Sequence, residues 1–334
     1  MHTGIERRRF LALGAVAVGS AAAAAWPASA RPTVFAPPDR ELMVPVVGGK
    51  LYVRVNGKLD AGRPPVILIH GGPGGSHAFL LRALDLADSR AVILYDQLDC
   101  GLSDHPGDPA NWRVERFVDE LEAIRGALDI PAWHVVGHSW GGTVALEYAA
   151  RRPPSLASVV LASPLISTRS WIADADALRR RLPPDVQTVL KRCEGRAPPS
   201  KAECDKATVA FYSAFNGREP RSAAMKAYLE TLHGLSFNET LYRYMWGSSE
   251  FSSTGTLRSY DGERLLPRLD GARTLLMVGQ YDEARPETAL MFADRLPGAE
   301  LAVIPGAAHG TFGDRPDETL SVLRAWFARH DAKG

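Results

Sequence analysis

Six residues, Gly137-His138-Ser139-Trp140-Gly141-Gly142, join an apolar run, His134-Val135-Val136, to a helical stretch over residues 142–151. A strand that turns into a helix within so few residues leaves no room for side chains at 137 and 141. It also holds Ser139 in a strained backbone conformation. The Ser139 hydroxyl then projects into a cleft, with the Trp140 N–H directed at the same spot. This G-x-S-x-G corner, placed after a strand and before a helix, points to an α/β protein with an activated serine at a strand's carboxyl end. The bland alternative is a glycine-rich turn with a bystander serine.

The rest of the chain repeats the strand–helix rhythm. Short β-like runs at 42–47 and 51–55 flank the hairpin turn Gly48-Gly49. Continuous apolar runs follow at 66–69, 91–95, 134–136 and 158–162, as expected of strands buried on both faces. Helical stretches at 114–128 and 142–151 separate them. Strand-like runs resume at 274–278 and 301–304, and an amphipathic helix over 318–329 closes the chain. The alternation predicts a mostly parallel sheet covered on both sides. Residues 164–266 break the rhythm. They are rich in Arg, Ser, Pro and aromatics, with apolar positions at helical spacing. They are expected to form a helical cap over the strand ends, inserted in a core made of 31–163 and 267–334.

A serine hydroxyl is a weak nucleophile at neutral pH and needs a base, which needs an orienting acid. The corner predicts the chain order Ser, Asp/Glu, His. Past the insert, the run 274–278 leads to Gly279-Gln280-Tyr281-Asp282, and the run 301–304 leads to Pro305-Gly306-Ala307-Ala308-His309. Asp282 and His309 thus follow strand ends, as Ser139 does. Asp270, Asp294 and Glu283 are rivals for the acid. A second glycine cluster, His70-Gly71-Gly72-Pro73-Gly74-Gly75, follows the run 66–69. Its Gly72 N–H, with Trp140 N–H, would form an oxyanion hole. No Gly-Lys-Ser/Thr follows, so a phosphate loop is excluded. His-x-Glu and Cys-x-x-Cys spacings are absent, so no catalytic metal is expected, and the chemistry needs no cofactor.

Taken with Tyr95-Asp96-Gln97, Cys100-Gly101 and Ser103, these motifs resemble the proline iminopeptidase family of α/β-hydrolases from about residue 45 to the C-terminus. The segment Tyr244-Met245-Trp246-Gly247-Ser248-Ser249-Glu250-Phe251 is similar to that of the tricorn-interacting aminopeptidase branch. The resemblance implies an α/β-hydrolase fold with a helical cap and a serine aminopeptidase acting on small peptides or amino acid amides. It also implies that Glu250 and Glu283 hold the substrate's free ammonium group. Leu98-Asp99 departs from the family's usual pattern. Cap aromatics Phe211, Tyr212, Phe215, Tyr242, Tyr244 and Trp246 would line a proline pocket or form the cap's own core, the latter being expected for most. Competing readings are a proline amide hydrolase, an esterase or lactonase with the same triad, and a non-catalytic binding protein on this scaffold.

Composition narrows the partners. Lys and Arg total 39 against 38 Asp and Glu, so no basic excess exists to hold nucleic acid. The first thirty residues run from Glu6-Arg7-Arg8-Arg9-Phe10-Leu11 through an Ala/Gly-rich stretch to Ala28-Ser29-Ala30. This resembles a cleavable twin-arginine export signal, implying a periplasmic or secreted protein with no lasting membrane insertion; the alternatives are an uncleaved N-terminal anchor or a cytosolic tail. In that setting Cys193 and Cys204 would form a local disulfide or remain two free thiols, and spacing leaves both open. Cys100 is expected to be a packed side chain rather than a nucleophile.

Overall fold

The computed structural model describes residues 34–331 apart from 196. The expected export signal lies outside the described residues. Eight strands form one sheet: β1 (Arg40–Val46), β2 (Gly49–Asn56), β3 (Val66–Ile69), β4 (Val92–Tyr95), β5 (Trp133–His138), β6 (Leu156–Ala162), β7 (Thr274–Gly279) and β8 (Glu300–Ile304). Their spatial order is β1-β2-β4-β3-β5-β6-β7-β8. The β1–β2 hairpin and the β2–β4 pair are antiparallel, and every later pairing is parallel. The chain leaves β3 to build β4 on one side, then crosses to build β5 on the other. That reversal makes the β3/β5 crevice the place where an open α/β sheet receives a ligand.

The apolar runs fold as strands because both faces are covered. Along β3, Ile67 and Ile69 enter one core with Phe117, Val118, Val144 and Trp140, while Val66 and Leu68 enter the other with Leu323, Trp326 and Phe327. Helices α1 (Val114–Ala127) and α2 (Trp140–Ala150) supply the first core. The second is closed by the C-terminal helix and by the 3-10 stretch His77–Asp88. Helix α2 starts at Trp140, two residues before the expected start. Ser139 has φ 58° and ψ −120°, and regular helix geometry resumes immediately after it.

Between β6 and β7 the chain forms α3 (Thr168–Arg179), α4 (Pro184–Cys193), α5 (Lys201–Phe215), α6 (Ala223–Thr231) and α7 (Glu239–Met245). These helices have an apolar cluster of their own, with Leu178, Leu190, Phe211, Phe215 and Phe251 among its members. A Cys193–Cys204 disulfide links α4 to α5, which settles the alternative that spacing left open. Ser200 caps α5 in a reciprocal box with Glu203, satisfying two otherwise orphan amides. Main-chain hydrogen bonds tie the C-terminal end of α5 to the core: Glu283 N and His309 N donate to Phe215 O, and Gly310 N donates to Asn216 O. The chain closes with α8 (Pro286–Asp294), the short α9 (Thr311–Asp314) and α10 (Pro316–His330). Helix α10 begins at Pro316 rather than 318, since a proline at the first turn needs no amide partner.

Candidate active site

The corner after β5 is set by close backbone approach. A Cβ on Gly137 would sit 2.0 Å from Gly141 O, and one on Gly141 would sit 2.2 Å from Ile69 O, the last residue of β3. A side chain at either place would push the start of α2 off the ends of β5 and β3. Ser139, the one non-glycine held at positive φ within the corner, is pinned by Ser139 N to Ala162 O (2.9 Å) and by Gly142 N to Ser139 O (2.8 Å). Strain of this kind costs roughly 1–3 kcal/mol and persists only where the surroundings enforce it.

Asp282 lies three residues past β7, and His309 lies five past β8. Both are buried, and Asp282 Oδ1 is 2.8 Å from His309 Nδ1. The carboxylate also accepts from Gly279 N (2.9 Å), Ala284 N (2.9 Å) and the Ser163 hydroxyl (2.5 Å). These donors offset the loss of water around a buried charge. Asp270 and Asp294 have other settings: Asp270 caps a 3-10 turn before β7, and Asp294 ends α8. The His309 main chain is held in turn, its carbonyl accepting from His138 Nε2 at 2.9 Å. The rings of His138 and His309 lie 4.8 Å apart, and Trp171 meets His309 edge-on at 5.5 Å. Burial, aided by His309, pushes His138 down to about 4, so it is neutral at pH 7. Burial also opposes charge on His309, but Glu283 and then Asp282 outweigh it and raise this imidazole to about 9.

The loop after β3 comes close to the serine, since a Cβ on Gly71 would lie 3.0 Å from Ser139 Cβ. Gly72 has φ +124°, a conformation that a side chain would strain. Gln97 joins this loop to the corner. Its Oε1 accepts from the Trp140 indole (2.9 Å), its Nε2 donates to His70 O (3.1 Å), and its own amide donates to His70 Nε2 (3.1 Å). The unusual Asp99 beside it has φ 65° and accepts from Gly107 N and the Trp112 indole. Cys100 is buried, and burial raises its thiol well above the ordinary range.

The two glutamates do not lie on a solvated face. Glu283 is 4% exposed; its Oε1 accepts from Asn216 Nδ2 at 2.7 Å and lies 3.5 Å from His309 Nε2. Its Oε2 is buried without a hydrogen-bond partner. Burial pushes the Glu283 carboxyl up, His309 opposes this, and the charge of Glu250 adds to it. Glu250 is half-buried and accepts from the hydroxyls of Tyr212 (3.2 Å) and Tyr242. The cap aromatics therefore divide. Phe211, Phe215 and Trp246 are core, Tyr212 and Tyr242 brace Glu250, and the more exposed Tyr244 packs on Trp112. Among the described residues, no group of three or more His, Cys, Asp or Glu is placed to hold a metal ion.

Sequence reasoning missed Ser163, His138 and Gln97 as supports of this site. Ser163 offered one signal: it directly follows β6, level with the other strand ends.

Residues 64–316 match a family described as having the alpha/beta hydrolase fold. The chain is 37% identical over 285 residues to a proline iminopeptidase of Heyndrickxia coagulans, covering 85% of this chain and 96% of that one. It is 33% identical over 291 residues to one from Lactiplantibacillus plantarum, covering 86% and 100%. Among solved structures it is similar to VinJ, with a TM-score of 0.80 and 33% identity over 88% of this chain and 100% of that one. It is also similar to the proline iminopeptidase of Mycobacterium smegmatis, with a TM-score of 0.78 and 32% identity over 87% and 98%.

Ser163→Ala removes one donor from a buried carboxylate while leaving the fold's packing in place. Hydrogen bonds to charged groups are worth about 1.5–3 kcal/mol, so kcat/KM is expected to fall by about tenfold or more. Steady-state kinetics checks this, and a urea unfolding curve should show a lowered midpoint as well, because the same bond satisfies a buried charge in the folded state.

Proposed function

Since the chain belongs to the alpha/beta hydrolase family and, within it, to the proline iminopeptidases, we propose that it releases an N-terminal proline from small peptides through an acyl-enzyme on Ser139. The observation that carries this reading is the buried Glu283 carboxyl with one oxygen unpartnered, facing the imidazole of the His309–Asp282 pair. A carboxylate so placed is costly unless a cation meets it. A substrate's α-ammonium, held between Glu283 and Glu250, satisfies that requirement and brings only the first peptide bond to Ser139. Residues 164–266 act as the cap that carries Glu250 and closes this end of the cleft.

In the reaction, Ser139 Oγ attacks the carbonyl carbon while His309 Nε2 takes its proton. Asp282 holds Nδ1–H, fixing the tautomer and stabilising the imidazolium that forms. The amides of Gly72 and Trp140 donate to the tetrahedral oxyanion, each worth about 3–4 kcal/mol. The C–N bond then breaks as His309 returns its proton to the leaving amine. Water, deprotonated by the same imidazole, attacks the acyl carbon; the ester bond to Ser139 Oγ breaks as His309 returns the proton to that oxygen, and proline is released.

We also propose that residues 1–30 direct export. Support comes from the arginine-led apolar segment ending in Ala28-Ser29-Ala30, and from the Cys193–Cys204 disulfide, a bond kept in oxidising compartments. N-terminal sequencing of protein from the periplasm or medium should begin after Ala30. Recovery only from the cytoplasm, starting at Met1, would contradict export.

Comparison of prolyl p-nitroanilide with its N-acetyl form tests the amine reading. Two charge-assisted contacts predict a loss of about a hundredfold in kcat/KM on acetylation. The pH profile should be bell-shaped. The kcat/KM bell should be narrow, because free-enzyme His309, raised to about 9, sheds its proton over the same range in which the substrate amine, with a pKa of about 8, loses its charge. Equal turnover of both substrates, or a profile flat into strong alkali, would favour a simple esterase or amidase.

A further inference from the structure

Glu283 is placed to do more than receive the ammonium, because its carboxyl lies beside the edge of His309 that the mechanism assigns to Ser139. Oε1 lies 3.5 Å from Nε2, the nitrogen whose lone pair a general base uses. Nδ1 is committed to Asp282. Both side chains are almost fully buried, 4% and 5% exposed, so water does little to screen them from each other. We propose that in the free enzyme Glu283 holds a proton on the His309 Nε2 edge and keeps the base idle, and that the substrate's ammonium takes over Glu283 and releases it. This inference rests on the amine reading above, but it assigns the amine a second task, that of switching on the base.

The charge balance explains why. The groups that face this pair are Asp282 from the β7 loop, His138 from the β5 corner, Glu250 from the loop after α7, and Tyr212 and Tyr242 from α5 and α7. His138 is neutral, and burial and the nearby Glu250 keep both tyrosines in the phenol form. Among the described residues, three carboxyl groups therefore converge, and no Lys or Arg is among the main charges acting on either side chain. In the empty site a proton on His309 Nε2, ion-paired with Glu283 at 3.5 Å, meets that need. While it stays on nitrogen, the Nε2 lone pair is engaged. Arrival of an ammonium supplies a positive charge beside Glu283, and two cations there repel. The Nε2 proton then leaves to solvent, one per substrate bound, and Nε2 is free to accept from Ser139 Oγ. Free-amine substrates thus gain in kcat as well as in KM, and an N-blocked substrate meets a base that is still engaged.

The test uses the full-length protein and a neutral alkyl fluorophosphonate, which reacts with Ser139 only when His309 can act as base and which carries no amine. Inactivation rates are measured from about pH 5 to pH 10 for the wild type and for Glu283→Gln, which keeps shape and removes charge. The midpoint should fall by about one pH unit or more in the variant, so that near pH 6.5 it reacts about tenfold faster than the wild type. Excess methylammonium should lower the wild-type midpoint toward that of the variant and leave the variant unmoved. Equal midpoints in the two proteins overturn the proposal. Should the variant not fold, a wild-type midpoint that methylammonium leaves in place overturns it equally. Prolyl p-nitroanilide cleavage by the wild type is followed in parallel. No cleavage with a shifted midpoint refutes the proline reading alone, whereas cleavage with equal midpoints refutes the switch alone.

Discussion

The site depends on one buried contact, the 2.8 Å bond between Asp282 and His309. A carboxylate taken out of water is tolerable only when its oxygens are met, and here the sheet itself meets them. Gly279 N ends β7, Ser163 follows β6, and Ala284 N belongs to the Asp282 loop. Because those donors come from adjacent parallel strands, the acid sits correctly only if β6 and β7 are in register. The imidazole sits correctly only if the acid does. His138 then ties the same imidazole segment back to the β5 corner. Fold and site are thus one arrangement of strand ends rather than a scaffold with parts attached.

Much of this was legible because it is local. Short apolar runs such as 66–69 and 91–95 read as strands, since a strand buried on both faces has no polar side to show. The glycines at 137 and 141 announced a tight corner because backbone approach is the reason for them. The positions of Asp282 and His309 followed from counting past the ends of strands. What escaped is what only tertiary approach creates. Nothing in the sequence says that Gln97 bridges Trp140 to His70, or that Ser163 reaches across 119 residues to Asp282. The bracing of Glu250 by Tyr212 and Tyr242 was equally hidden, since aromatics on cap helices carry the same pattern whether they pack or bind. Helix α2 begins at Trp140 rather than 142 because the strain expected at the corner is confined to Ser139, and helical geometry resumes at the next residue.

The cluster of acidic groups gives the site its chemical character. Asp282 is matched by donors, whereas Glu283 keeps one oxygen unmatched and shares its other side with the base. That asymmetry is what the proposed roles require, an orienting acid and a receiving one, although the two residues are neighbours in sequence. It also links recognition to reactivity. In the proposed reading, the group that tells a free N-terminus from a blocked one also governs whether the base is available.

The central claim is that Ser139 carries the prolyl group through turnover. Rapid quenching of the enzyme with a prolyl ester, followed by peptide mass spectrometry, tests it most directly. The account predicts a prolyl adduct on the peptide containing Ser139, which disappears as free proline is released. Turnover with no adduct, or with the adduct on another residue, would contradict it.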